Sequence, residues 1–267
     1  MKFNLHPRVV FVSFLLLLPC VTNAQWYNRM EVGYSYVTAT AHFSGKSGFY
    51  DLNDNRIGDT TVNRNISAKA GAGYSLGLYV PLKRVGKKNM WAVDMAIVYN
   101  EFIWEGLNQG YSADGSYFSV SGFPDLFGVT VSVGAPVSID YKIGTDAICS
   151  KKRRFGCTFG AGVIPTYNLT ALVGVDGAGI GAGMSVNPFV KGEVAIFGGI
   201  CWKLRCIYSF GNVPYIDLTK NDLAFTSGPF KVTGKSNMML SLVIMPFAWH
   251  WKDETWYNVR GRYNPYQ

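Results

Sequence analysis

Residues 127–144 read FGVTVSVGAPVSIDYKIG, and their two alternating faces could hardly differ more. Phe127, Val129, Val131, Val133, Ala135, Val137, Ile139, Tyr141 and Ile143 occupy the odd positions; Gly128, Thr130, Ser132, Gly134, Pro136, Ser138, Asp140, Lys142 and Gly144 occupy the even ones. In a strand successive side chains point to opposite faces, so one face is wholly apolar while the other is small, polar or charged. A wall with hydrocarbon on one side and a crowded polar interior on the other requires this pattern. It is the pattern of a strand in a transmembrane β-barrel, where every backbone group must be paired within the sheet.

The remainder of the chain fits the same reading. Lys2 and Arg8 precede the apolar run Val9 to Leu18, and Thr22-Asn23-Ala24 follows, so residues 1–24 read as a secretory signal cleaved before Gln25. The run falls short of the roughly 20 apolar residues a spanning helix needs. Cys20 does not read as a lipidation site, because Pro19 stands where a small residue belongs. No later segment offers a helix-length apolar run. Residues 25–250 are expected to form the barrel and residues 251–267 a periplasmic tail.

Period-two runs number eight: Met30 to Phe43, Ile66 to Leu82, Met90 to Trp104, Phe127 to Gly144, Phe155 to Leu169, Ser185 to Ile200, Leu204 to Asn212 and Asn237 to Trp249. Brief turns, KRVGKK, TDAICSKKRR and GGICWK, follow the second, fourth and sixth. Long polar or Gly-rich stretches follow the others: Ser44 to Asn65, Glu105 to Leu126, Thr170 to Met184 and Val213 to Lys235. Short turns at one end and long loops at the other predict an all-β, eight-stranded, antiparallel up-and-down barrel with both termini in the periplasm. A soluble barrel would put its apolar face inside and would rarely carry charge along the opposite face. With a rise of about 3.3 Å per residue and a tilt of about 40°, Phe155 and Tyr167 lie about 30 Å apart along the membrane normal, which suits two interfacial aromatic belts.

On this combination of signal segment, eight alternating strands and unequal connections, the chain resembles the small eight-stranded outer-membrane β-barrels of Gram-negative bacteria, including OmpA-like, OmpX-like and PorT-like barrels. The resemblance covers most of the mature chain and implies an outer-membrane location. It departs at the end, where HWKDETWYNVRGRYNPYQ follows the last strand instead of a closing aromatic. The PorT-like resemblance implies an accessory role in secretion or envelope assembly. The same architecture includes lipid A acyltransferases and deacylases with a His and a Ser near the outer rim.

An eight-stranded barrel is just wide enough for side chains to fill. The expected inward faces carry Glu31, Lys69, Asp94, Asp140, Lys142, Lys191 and Glu193, and charges of both signs in a narrow lumen must pair. A structural ion-pair network is the expected role; a narrow ion or proton path is the sharper alternative. Lys83, Arg84, Lys87, Lys88, Lys151, Lys152, Arg153, Arg154, Lys203 and Arg205 fall in or beside the short turns. They predict a basic periplasmic rim facing anionic headgroups or an acidic partner. The formal net charge of +8 does not point to nucleic acid in this compartment.

Four cysteines lie near the turns, and in an oxidising compartment the pairs Cys149–Cys157 and Cys201–Cys206 are the favoured of three connectivities. Their spacing is not that of a zinc site. His42, with Ser44 as nucleophile and Asp51 to orient it, is the alternative catalytic reading, a lipid A-modifying site. Asp176 to Gly183, DGAGIGAG, superficially resembles a phosphate loop but is expected to be plain loop or strand end. Asp51, Asn53, Asp54, Asn55 and Asp59 cluster oxygen atoms without the glycine and glutamate of a full calcium loop. The expectation is a non-enzymatic outer-membrane protein with no metal and no cofactor. Its partners would be membrane lipid and a periplasmic or outer-membrane protein, met through its loops or rim.

Overall fold

A computed structural model describes residues 29–50, 56–86, 88–104, 109–111, 117–119, 127–147, 154–174, 177–217 and 230–248. The expected signal segment, the expected C-terminal tail and both expected domain boundaries lie outside them.

The chain forms a closed antiparallel barrel. Its strands are β1 (Met30–Tyr50), β2 (Arg56–Val85), β3 (Asn89–Trp104), a small hairpin of β4 (Gln109–Tyr111) and β5 (Tyr117–Ser119), then β6 (Phe127–Gly134), β7 (Val137–Gly144), β8 (Phe155–Gly174), β9 (Gly177–Gly198), β10 (Ile200–Asp217) and β11 (Phe230–Met245). Segments β6 and β7 both lie between β3 and β8 and make one wall position. Each wall strand pairs with its chain neighbour, and β1 pairs with β11 to close a ring of eight. Closure pairs each wall strand on both sides through the body of the barrel, which a wall in hydrocarbon requires, while β9 from Gly177 to Pro188 pairs with β8 alone.

The stretch at residues 127–144 keeps its alternation but is not one continuous strand. It breaks at Ala135 and Pro136, because proline has no N–H to give to the ladder. Two bonds hold the break in line, Ala96 N–H to the Pro136 carbonyl at 3.1 Å and Ala135 N–H to the Pro165 carbonyl at 2.9 Å.

Several strands run past their expected ends. The ladder between β1 and β2 continues to Tyr50 and Arg56, so most of the expected loop at Ser44 to Asn65 is paired ribbon. The expected loop at Thr170 to Met184 is likewise paired up to Gly174 and Gly177. A strand crosses the bilayer in about 9–11 residues, whereas β2 has 30. Its excess length continues the wall as a ribbon beyond any apolar band. The opposite end closes tightly. Gly199, at φ 92°, separates β9 from β10, and Gly144, at φ 68°, ends β7 where a side chain would strike the Phe155 carbonyl.

Outward positions are apolar on every wall: Tyr34 on β1, Leu76 on β2, Ile97 on β3, Ile139 on β7, Phe159 on β8, Val194 on β9, Leu204 on β10 and Leu242 on β11 are all more than half exposed. A soluble domain does not leave an apolar surface of that extent uncovered.

Candidate functional site

The barrel interior gathers nine charged side chains among the described residues, and it is layered. At the turn end lies an apolar floor of Tyr79, Met90, Ala92, Ala147, Ala195, Cys201, Met245 and Ala248. Toward the ribbon end a larger apolar layer includes Val37, Phe43, Phe102, Trp104, Phe189 and Tyr215. The rings of Trp104 and Tyr215 meet at 5.2 Å. The ionic groups occupy a distinct layer of their own.

Strand alternation puts Glu31, Asp94, Asp140, Lys142, Lys191, Glu193, Lys203 and Arg205 on the inner faces of β1, β3, β7, β9 and β10, and the turn after β7 folds Asp146 in beneath them. Lys203 Nζ lies 2.5 Å from both Glu31 and Asp146. Lys191 Nζ lies 2.7 Å from both Asp94 and Asp140. Arg205 donates from Nε to Glu193 at 2.5 Å and from its terminal nitrogen to Glu31. Lys142 Nζ sits among four carboxylates, 3.5 Å from Asp140 and Asp146 and 3.8 Å from Asp94 and Glu193, and 4.5 Å from the Tyr79 ring centroid. Inner-face glycines make room for these side chains. A methyl group at Gly160 would strike the Asp140 carboxylate.

Six of the seven expected lumen residues therefore meet in one cluster. The seventh, Lys69, lies at a register irregularity between Ala68 and Ala70, and its side chain is outside the described residues. Two assignments to the basic rim are corrected: Lys203 and Arg205 are buried in the ionic layer. The turn is only Gly199, so β10 begins at Ile200 and its alternation carries Cys201, Lys203 and Arg205 inward. Of the other rim residues, Lys83, Lys88 and Arg154 are exposed at the turn end, and Arg84 donates from Nε to the Gly86 carbonyl at 2.9 Å. Lys87, Lys151, Lys152 and Arg153 lie outside the described residues.

The expected Cys201–Cys206 disulfide is also corrected. Cys201 is buried inside and Cys206 exposed outside, on opposite faces of one strand. Both are free thiols, as is Cys157; Cys149 lies outside the described residues. The glycine run from Gly177 to Gly183 is strand paired with β8 and precedes no helix. Asp59 is in β2, and Asp51, Asn53, Asp54 and Asn55 fall outside the described residues.

His42 projects from the outer face of β1, and its Nδ1 lies 3.3 Å from Asn65 Oδ1. An amide in that place does not supply the charge with which a carboxylate would stabilise an imidazolium. Two carboxylate triads, Glu31–Asp146–Glu193 and Asp94–Asp140–Glu193, have the spacing of metal ligands. Lysine and arginine nitrogens already occupy the space between them. The arrangement sets five buried carboxylates against four buried cations and fills the bore at that level.

No family model matches the chain, and no curated protein does. Similar solved structures include small outer-membrane barrels. Neisserial surface protein A is 14% identical with a TM-score of 0.30, the match covering 77% of this chain and 95% of that one. The outer-membrane protease OmpT from Escherichia coli is 7% identical with a TM-score of 0.41, covering 81% and 96%. Ail, the attachment invasion locus protein of Yersinia pestis, in complex with the heparin analogue sucrose octasulfate, is 10% identical with a TM-score of 0.36, covering 81% and 99%.

Proposed function

We propose that this chain is an integral outer-membrane barrel without enzymatic activity. It acts through the ribbons and loops at one end, or the basic rim at the other, as a binding or structural component of the envelope. An accessory part in secretion or envelope assembly is the finer form of this proposal. The observation that carries it is the combination of an apolar belt on every wall with a bore filled by side chains. Such a body is held by lipid and leaves its two ends for contact with partners. The amide neighbour of His42 supports the non-enzymatic reading over lipid A modification, and the two apolar layers support a closed bore over a narrow channel.

The test is made in intact cells. A photo-crosslinking residue is placed at Ser47 on the ribbon end or at Lys88 on the turn end, and the membranes are then separated by density. The reading expects the chain in the outer-membrane fraction, with a discrete protein or lipid adduct from at least one position. A chain that stays in the soluble fraction, or no adduct from either end, would overturn it. Lipid A of unchanged mass in a His42→Ala strain supports the non-enzymatic part; a changed mass overturns it.

A further inference from the structure

The charges of the ionic layer do not balance. Glu31, Asp94, Asp140, Asp146 and Glu193 face only Lys142, Lys191, Lys203 and Arg205, and all nine are buried between the two apolar layers. Fully ionised, they would leave one uncompensated negative charge in surroundings that penalise it heavily. Among the described residues no fifth cation joins them. Arg29, just before β1, is partly exposed. The β2 residue level with Asp94 is Tyr79, whereas Lys69 stands level with Ile103 and Trp104, in the ribbon-end layer. Tyr79 and Cys201 border the charges from the floor, and neither side chain can be positive.

The contacts show where the excess falls. Arg205 Nε takes Glu193 at 2.5 Å, Lys203 Nζ lies 2.5 Å from Glu31 and from Asp146, and Thr158 donates to Asp146. Asp94 and Asp140 share one ammonium: Lys191 Nζ is 2.7 Å from Oδ2 of each, and their other cations stand 3.5–3.8 Å away. Oxygen atoms of these two carboxyls and of Glu193 lie within 4.8 Å of one another. Carboxylates so close repel, and a proton on one of them relieves it. Asp140 has the place for that proton. Lys142 and Lys191 both approach its Oδ2, while Oδ1 meets Ser138 Oγ at 2.7 Å, the usual O–H···O distance. A hydroxyl accepts as well as donates, so a neutral Asp140 can donate from Oδ1 to Ser138 and keep Lys191 at Oδ2. The wall closes over the same oxygen, since a Cβ at Gly160 would fall 2.1 Å from it.

We propose that the ionic layer is a binding site for one proton, carried on Asp140 Oδ1 and donated to Ser138 Oγ, which leaves four negative groups against four positive ones. A sodium or potassium ion would also balance the charge, but lysine and arginine nitrogens already fill the spaces between the carboxylates. A proton needs no such space. The site ties the barrel to pH. In the unfolded chain an aspartate is ionised at neutral pH, so folding takes up one proton. The folded state then binds more protons than the unfolded one, and stability falls as pH rises, by about tenfold in the folding equilibrium per pH unit.

The test is infrared spectroscopy of the full mature barrel at neutral pH, in a detergent without carbonyl groups, where a neutral carboxyl absorbs apart from carboxylates. The proposal expects one such band, moved by carbon-13 labelling of aspartate and not of glutamate, absent from Asp140→Asn and shifted in Ser138→Ala. No band in the wild type, as a layer balanced by a metal ion would give, would overturn it. So would a band that answers to glutamate labelling, survives Asp140→Asn or stays unmoved in Ser138→Ala. Folding titrations in lipid vesicles across the neutral range give a second readout: the wild type should lose about tenfold per pH unit relative to Asp140→Asn, and parallel profiles would overturn the proposal. Labelling of the wild type decides the matter even if a variant fails to fold.

Discussion

Replacing Arg205 with methionine isolates the ionic layer. The guanidinium is buried, donates to Glu193 and Glu31, and lies 3.5 Å from Asp94. Methionine keeps much of the bulk and removes the charge. Glu193 is then left with Lys142 at 3.8 Å, Lys191 at 3.6 Å and Lys203 at 3.7 Å, all longer contacts than the 2.5 Å bond it loses. Removing one member of a buried pair costs about 3–5 kcal/mol, because the partner charge stays buried. That corresponds to roughly two to four powers of ten in the folding equilibrium. An exposed rim arginine would cost about 0–1 kcal/mol. Reversible urea titration of the barrel in lipid vesicles, followed by tryptophan fluorescence, measures the difference. Adding Glu193→Gln to Arg205→Met should restore stability, with a coupling of about 0.5–3 kcal/mol. A loss below about 1 kcal/mol for Arg205→Met, with no coupling to Glu193, would refute a desolvated ionic layer.

Three further outcomes follow from the same geometry. Gly160→Val pushes a side chain into the Asp140 carboxylate and should cost about 1–3 kcal/mol by vesicle titration, whereas Gly192→Val, where an added carbon meets nothing within 4 Å, should be close to neutral. In planar bilayers the wild-type barrel should show no resolved conductance steps, because apolar layers close the bore on both sides of the charges; reproducible steps would contradict this. A membrane-permeant maleimide should modify Cys206 in the folded barrel and spare Cys201 until unfolding, and peptide mapping should find no bridge between them.

Period-two alternation made the inner and outer faces legible, because hydrocarbon and a side-chain-filled bore each impose their own chemistry on alternate residues. Tyr34, Ile97 and Ile139 outside and Asp94, Asp140 and Lys142 inside follow from it directly. Strand ends were less legible. Past the lipid the outer face no longer needs apolar residues, so SGKSGFY at the end of β1 reads as loop while its backbone is laddered to β2. Lys203 and Arg205 were misplaced because the glycine pair and the basic residues near GGICWK look like a turn. The alternation of Cys201, Lys203 and Arg205 against Trp202, Leu204 and Cys206 was the signal that placed them inside. Asp146 carried no such signal, since it comes from a turn whose path depends on the whole barrel. The apolar layers were hidden for a different reason: beside Phe102 the outward Tyr99 and Ile103 blur the contrast between faces, and around Phe43 it inverts, with Thr40, His42 and Ser44 outside and Ala39, Ala41 and Phe43 inside.

The central claim is that hydrocarbon covers the outer wall. Sedimentation and circular dichroism of the purified mature chain, with and without detergent or lipid, test it most directly. The account predicts a folded β-rich monomer only when an amphiphile is present and aggregation when it is withdrawn. A folded monomer persisting in plain buffer would contradict it.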